Sequence, residues 1–321
     1  RFSASQMQEW TLAVPVGFFL GVPLAAIVVK IMEKRTALVI GMAFVGFGVS
    51  LPPVLRVYGL LPLDGGALST LLIGTNFATG AVAALAGAGY RAIAVDQRGH
   101  GESAWSADGD YLLDRFGDDL RRVIDSVDAP PILVGASLGG LASLLAAGEA
   151  PQAEVAGIVL VDIVPWMEKK GGEQVVGFMR GTDSGFDTLD EAADAIAAYL
   201  PHRPRPDRLD GLSRNLRQRD DGRWYWHWDP AFVRPNAKWD MDDINRRLSA
   251  AAQAVRSPLL LVHGTASEIV SEAGAARFRA MLPQAQVVPI AGAHHMVAGD
   301  DNDAFLGALL TFLDTLPEPI A

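Results

Sequence analysis

One serine stands in a glycine-rich turn of the kind that makes a weak hydroxyl into a nucleophile. Ser137 lies in the run GASLGG at 135–140, behind the apolar PILV and ahead of the helix-forming LASLLAAGEA. A G-x-S-x-G turn between a strand and a helix strains the serine backbone and requires small neighbours. It also lifts the hydroxyl to a helix N-terminus, where N–H groups stabilise an oxyanion. The pattern predicts acyl transfer through Ser137, with a plain glycine-rich turn as the alternative.

A serine hydroxyl needs a base, and position selects among the six histidines of this chain. The base is expected on the loop after the last strand and before the closing helix. The strand QVVPI and the helical DNDAFLGALLTFLDTL flank such a loop, and it carries His294 and His295.

Residues from about 85 to 315 resemble the α/β-hydrolase superfamily, in the branch with DxRGHGxS after one strand and GxGHM before the final helix. DQRGHGES at 96–103 matches the first motif and GASLGG the nucleophile turn. GAHHM at 292–296 matches the third, with His294 where a glycine is usual. The resemblance implies that His295 is the base and that His294 packs or hydrogen-bonds beside it.

In that family the acid that orients the base lies on the loop after the last strand but one. Here PLLLVHG leads to TASEIV at 265–270, and Glu268 stands where the family pattern has Asp. Glutamate can serve, because Ser-His-Glu triads exist. Asp162, at the end of GIVLVD, is the reserve candidate, with a role as a turn residue as its alternative. Asp96 and Arg98 are expected to stabilise their own turn.

The oxyanion is expected to meet the backbone N–H groups of Leu138 and Thr75. Thr75 belongs to the segment 69–77, interpreted as a strand and loop ahead of the first helix, although Ile73 stands where the family has His. The stretch from Leu68 to Gly89 carries no charge and can also be a membrane helix. The two interpretations exclude each other, because one backbone cannot form both.

The elements that must hold these residues are those of an α/β fold with a mostly parallel sheet. Apolar runs (RAIAVD, PPILVG, GIVLVD, PLLLVHG and QVVPIAG) alternate with helix-length segments. Roughly ninety residues separate the third run from the fourth, more than a crossover helix needs, and predict a helical cap. The expected division is a hydrophobic hairpin at 1–66, core at 67–163 and 257–321, and cap at 164–256.

The cap carries an aromatic cluster, WYWHWDP at 224–230. Trp224, Trp226 and Trp228 either line an apolar acyl pocket or anchor the cap to the core. An insertion at this point is expected over the carboxyl edge of the sheet, where ligands of α/β sheets bind.

Two uncharged runs, Thr11–Val29 and Thr36–Leu55, precede this part of the chain. Each is long enough to cross a bilayer core of about 30 Å as a helix. The basic loop 30–35 between them predicts a cytoplasmic turn. Buried core helices or a signal peptide are the alternatives, and a signal peptide would give one shorter run. Residues 21–60 also resemble part of a major-facilitator-type sugar–cation symporter.

The membrane interpretation predicts contact with a lipid bilayer through residues 11–55. With the loop 30–35 in the cytoplasm, a third span at 68–89 would leave the hydrolase in the cytoplasm, whereas two spans would place it outside. Without a membrane hairpin the protein would be soluble and cytoplasmic. The abrupt change after about residue 85, from long uncharged runs to short apolar runs alternating with helical segments, and the initial Arg1 suggest a fragment or a fusion.

The amino-acid composition excludes some classes of partner and some kinds of chemistry. A net charge of −10 and a pI near 5.0 argue against nucleic acid. The lack of cysteine excludes disulfides, thiol catalysis and Cys-ligated zinc. No metal or cofactor is expected.

The predicted function is hydrolysis of a small, largely apolar ester through an acyl-enzyme on Ser137. A serine nucleophile argues against the dehalogenase and epoxide-hydrolase chemistries, which need a carboxylate. The alternatives are a catalytically silent binding module on a membrane anchor, or a cofactor-free haloperoxidase or carbon–carbon bond hydrolase that uses the same triad.

Overall fold

The computed structural model describes residues 90–317, apart from 167, 206–208, 210, 213–214 and 235–239, together with residues 38–42, 70–72, 85 and 88. Within these ranges the chain forms a central sheet covered by helices, with a smaller cap inserted after the third of the five predicted strands.

The central sheet contains seven strand segments, and every described pairing between them is parallel. They are β1 (Leu38–Met42), β2 (Thr70–Leu72), β3 (Arg91–Ala94), β4 (Pro131–Ala136), β5 (Gly157–Val161), β8 (Leu259–Gly264) and β9 (Gln286–Ile290). Their order across the sheet is β1-β3-β2-β4-β5-β8-β9. Two further strands, β6 (Leu216–Gln218) and β7 (Trp224–Trp226), form a separate antiparallel hairpin. The predicted parallel sheet is confirmed.

The strands β1 and β2 correct the membrane interpretation. The run Thr36–Leu55 contains β1 and the stretch Leu68–Gly89 contains β2. Neither is one continuous spanning helix, because a strand interrupts each. The run Thr11–Val29 lies outside the described residues. Among the helices in the described part of the chain, none is long and apolar enough to cross a membrane.

Eight α-helices have both ends within the described residues. They are α1 (Leu113–Asp125), α2 (Leu138–Gly148), α3 (Lys169–Gly181), α4 (Leu189–Tyr199), α5 (Met241–Ala254), α6 (Glu272–Met281), α7 (Val297–Asp300) and α8 (Asn302–Thr315), and a 3₁₀ helix spans Pro230–Val233. Helix α4 begins at a capping box, in which the Thr188 hydroxyl accepts the Glu191 N–H at 3.1 Å. The Glu191 carboxylate accepts the Asp187 N–H at 2.7 Å.

The core lies on both faces of the sheet, because its central strands are apolar throughout and successive side chains point to opposite faces. Leu133 and Leu160 are buried in the cluster that includes α1, α2 and α5. Val134 and Val159 are buried in the cluster that includes α8. This burial fixes the carboxyl ends of β4 and β5, which carry the chemical groups.

The cap has a hydrophobic cluster of its own, built from α3, α4, the β6–β7 hairpin and the 3₁₀ helix. Helix α5, which falls inside the predicted cap at 164–256, belongs to the core instead. Its Leu248 is fully buried there, and a Cβ on Gly148 of α2 would lie 2.2 Å from the Ala251 carbonyl oxygen. The last described cap element therefore ends at Val233, earlier than predicted.

Candidate active site

Ser137 occupies the strained turn that the glycine spacing predicts. It lies between β4 and α2 with φ +48° and ψ −119°, a conformation that L-residues rarely adopt. A Cβ on Gly135 would lie 2.4 Å from the Gly139 carbonyl carbon, and one on Gly140 would lie 2.4 Å from the Ile163 side chain. The turn therefore tolerates no larger residue at these two positions.

Asp162 and His295 form a hydrogen-bonded pair. The His295 Nδ1 lies 2.8 Å from Asp162 Oδ2, and the carboxylate is fully buried. Asp162 also has a positive φ, +48°. A buried carboxylate beside Nδ1 fixes the imidazole with its proton on that nitrogen, which leaves Nε2 as an acceptor.

Strand register brings Ser137 to the same edge of the sheet as this pair. Ala136 stands opposite Val161, and the Ser137 N–H bonds the Val161 carbonyl at 3.3 Å. Neighbouring strands lie about 4.8 Å apart, so Ser137 and Asp162 leave their strands side by side. His295 reaches Asp162 from the loop after β9.

The loop that carries His295 is fastened to the loop after β8. The Ala266 N–H bonds the Ala293 carbonyl at 2.9 Å, and the Gly292 N–H bonds the Thr265 hydroxyl at 2.8 Å. Gly264 lies beneath this contact, and its N–H bonds Asp162 Oδ1 at 3.0 Å.

Gly264→Ala is expected to push the histidine loop away from β8. The new Cβ would lie 2.1 Å from the Ala293 carbonyl oxygen, a distance that real Cβ atoms do not reach. Overpacking of this kind costs about 1–3 kcal/mol, measured by urea unfolding, and turnover should fall with it. Gly307→Ala in α8, where a Cβ meets nothing within 4 Å, is the matched control and should be neutral or slightly stabilising.

The carboxylate of Glu268, predicted to orient the base, contacts the other histidine. Its Oε2 lies 3.5 Å from His294 Nδ1, whereas Asp162 is at Nδ1 of His295. The structure thus corrects the predicted partner of His295. The reason is strand adjacency, because β5 lies between β4 and β8 and delivers Asp162 beneath the histidine loop.

His294 belongs to a polar contact between the cap and the histidine loop. Its ring stacks on that of His202, with centroids 3.5 Å apart and an interplanar angle of 9°. Burial, and then the neighbouring His294, lower the pKa of His202, which favours the neutral form of the His202 ring. Arg203 bonds Asp300, at 2.7 Å from Nε.

Tyr199, the last residue of α4, lies near this contact. Its ring stacks on Phe178 at 4.2 Å. Burial, and then the charge of Glu268, raise the pKa of Tyr199 to about 12, so its hydroxyl stays protonated at neutral pH.

The DQRGHGES turn has the structural role predicted for it. Arg98 forms a forked pair with Asp119, at 2.6 and 2.8 Å. Asp96 accepts the Glu102 N–H at 2.9 Å. Burial lowers the pKa of His100, so this ring is held neutral, 2.9 Å from the Arg98 carbonyl. These contacts hold the turn in shape and fasten it to α1.

The aromatic cluster anchors the cap. Trp226 and Trp228 are buried in the cap cluster, and Trp226 Nε1 donates to the Thr182 hydroxyl at 2.9 Å. Trp224 packs against the same cluster and pairs through its backbone with Phe186. These contacts lie inside the cap and build its hydrophobic cluster, and a backbone bridge between Trp228 and His100 joins the cap to the turn after β3.

The N-terminus of α2 supplies N–H groups beside Ser137. Within the helix, the Gly140 and Leu141 N–H groups already bond the Ser137 carbonyl. The Leu138 N–H precedes them, in the first turn, where helical N–H groups have no intrahelical partner. Thr75, the other predicted donor, lies outside the described residues. No group of three or more His, Asp or Glu able to hold a metal occurs in the part of the chain that the structure describes.

A parallel sheet with a strained serine after one strand, an acid after the next and a histidine after the last defines an α/β hydrolase. The α/β hydrolase fold family profile matches residues 65–301, and the chain belongs to this family. It is a serine hydrolase in class. The match begins at residue 65, so it lends no support to the symporter resemblance of the preceding residues.

Relatives and solved structures agree with this assignment. Esterase Rv0045c of Mycobacterium tuberculosis is 29% identical over 239 residues, covering 72% of this chain and 77% of that protein. The 2-(acetamidomethylene)succinate hydrolase of Mesorhizobium japonicum is 29% identical over 226 residues, covering 70% and 79%. A crystal structure of E-2-(acetamidomethylene)succinate hydrolase has a TM-score of 0.60 at 27% identity, covering 70% of this chain and 82% of that one.

Proposed function

We propose that this hydrolase cleaves a small carboxylic ester through an acyl-enzyme on Ser137, with His295 as base and Asp162 as orienting acid. The observation that carries the proposal is the exit of Ser137 and Asp162 from neighbouring strands at one sheet edge, with His295 hydrogen-bonded to Asp162. The similarity to a mycobacterial esterase supports an ester as substrate.

Each group has a distinct part in the proposed reaction. His295 Nε2 accepts the Ser137 hydroxyl proton as the oxygen attacks the ester carbonyl. The Leu138 N–H, with Thr75 as its proposed second donor, stabilises the oxyanion. The imidazolium then protonates the departing alcohol. Water activated by the same imidazole releases the acid, and Asp162 stabilises the imidazolium throughout.

A serine-directed fluorophosphonate tests this assignment on the full chain. We expect one adduct, on the peptide that contains Ser137, and none in Ser137→Ala. Ser126→Ala changes an exposed serine outside the site and should be labelled as the wild type is. Nitrophenyl esters of increasing acyl length, hydrolysed in parallel, identify the acyl group that is preferred. Undiminished labelling and turnover in folded Ser137→Ala would refute the proposal.

A further inference from the structure

The fully buried Asp162 carboxylate accepts three hydrogen bonds. Gly264 N–H bonds Oδ1 at 3.0 Å, His295 Nδ1 lies 2.8 Å from Oδ2, and the Ser267 hydroxyl also bonds Oδ2. A carboxylate without water needs such partners to remain charged. Ser267 is a member of this set that sequence reasoning did not single out.

The direction of the Ser267 hydrogen bond is fixed by its own neighbours. The Ile269 N–H bonds Ser267 Oγ at 3.0 Å, and the Val270 N–H bonds it at 3.1 Å. A serine oxygen has two lone pairs, and these N–H groups use both. The hydroxyl can therefore only donate, and its acceptor is Asp162.

This donor also sets the plane of the carboxylate. The Cβ–Cγ torsion of aspartate has a broad energy profile, so rotamer preference alone does not fix where Oδ2 points. Gly264 holds one oxygen and Ser267 the other, on opposite sides of the group. His295 then meets an acceptor whose position does not vary.

We propose that Ser267 is a positioning residue for the reaction, holding Asp162 in the orientation that aligns His295. The proposal rests on the proposed function and deepens it. The sequence predicted the acid on this loop, whereas Asp162 follows β5 and the loop supplies the Ser267 hydroxyl as a donor to it.

Kinetics of the full chain on a nitrophenyl ester test the role. Ser267→Ala should lower kcat about tenfold to a hundredfold with little change in KM, because a hydrogen bond to a charged group is lost. Ser267→Thr keeps the hydroxyl and should restore most of kcat. Ser271→Ala is the matched control: its hydroxyl caps α6 through the Gly274 N–H at 3.0 Å, so its loss should affect stability and leave kcat unchanged.

A double-mutant cycle separates positioning from a general structural effect. In an Asp162→Asn background no carboxylate remains to be held, so Ser267→Ala should cost little further kcat. An equal loss of kcat in both backgrounds would overturn the proposal, as would an unchanged kcat in folded Ser267→Ala.

The low-field proton resonance of the His295 Nδ1–H gives a readout that needs no turnover. It should shift in Ser267→Ala, return in Ser267→Thr and stay in place in Ser271→Ala. An unshifted resonance in Ser267→Ala overturns the proposal. Turnover by Ser137→Ala, measured on the same ester, reports separately on the proposed function.

Discussion

His295→Gln is expected to lower kcat by about four to six orders of magnitude, because the base and acid of both half-reactions are lost together. Glutamine keeps an amide N–H that can donate to Asp162 Oδ2, so the buried carboxylate retains a partner. The fold should survive, and the loss should appear in kcat at all ester chain lengths.

The adjacent histidine supplies the matched control. His294→Gln makes the same change one residue away on the same loop. The His294 ring contacts His202 and Glu268, which belong to the contact between the cap and the loop. We expect most of the turnover to remain, with a small change in melting temperature. A larger loss of kcat in His294→Gln than in His295→Gln would contradict the assignment of the base.

The sheet and the strained serine turn could be predicted because their signals are local. Strands buried on both faces appear as continuous apolar runs such as PPILVG and GIVLVD. The glycines around Ser137 are required by contacts inside a single turn, and the turn follows its strand directly. Residue order alone therefore fixes the place of the strained serine.

The carboxylate that pairs with His295 could not be chosen in this way, because the pairing depends on which strands are neighbours. Asp162 and Glu268 follow different strands, and both are acceptable carboxylates. The deciding facts are the strand order, in which β5 lies between β4 and β8, and the 2.8 Å contact between Asp162 Oδ2 and His295 Nδ1. Both arise from packing between distant segments. The donors Gly264 and Ser267 escaped notice for the same reason.

The run Thr36–Leu55 was predicted as a spanning helix, and the part of it that the structure describes is a strand. A spanning helix and a buried parallel strand are both uncharged, and length is what separates them. The strand Leu38–Met42 occupies a small part of the run Thr36–Leu55, so the length of an uncharged run does not equal the length of an element.

The tryptophans show a related limit. Trp224 and Trp226 share a strand at a two-residue spacing, which indicates one face of it but does not tell what that face covers.

Asp162→Asn is expected to lower kcat about 10⁴-fold with little change in KM. Gly264 and Ser267 both donate to this side chain, so the new NH₂ group meets a donor whichever oxygen it replaces. Pointing it at His295 costs least, and it then donates to Nδ1. The imidazole must then carry its proton on Nε2. This is the nitrogen that should accept the Ser137 hydroxyl proton, so His295 in this tautomer cannot act as the base.

Glu268→Gln separates this explanation from the one that the sequence favoured. The substitution is the same exchange of carboxylate for amide, on the side chain that lies 3.5 Å from His294. If Asp162 is the acid, Glu268→Gln should keep kcat within about threefold of the wild type, whereas Asp162→Asn should not. A large loss in Glu268→Gln together with a mild one in Asp162→Asn would return the role to Glu268, on the loop where the sequence predicted the acid.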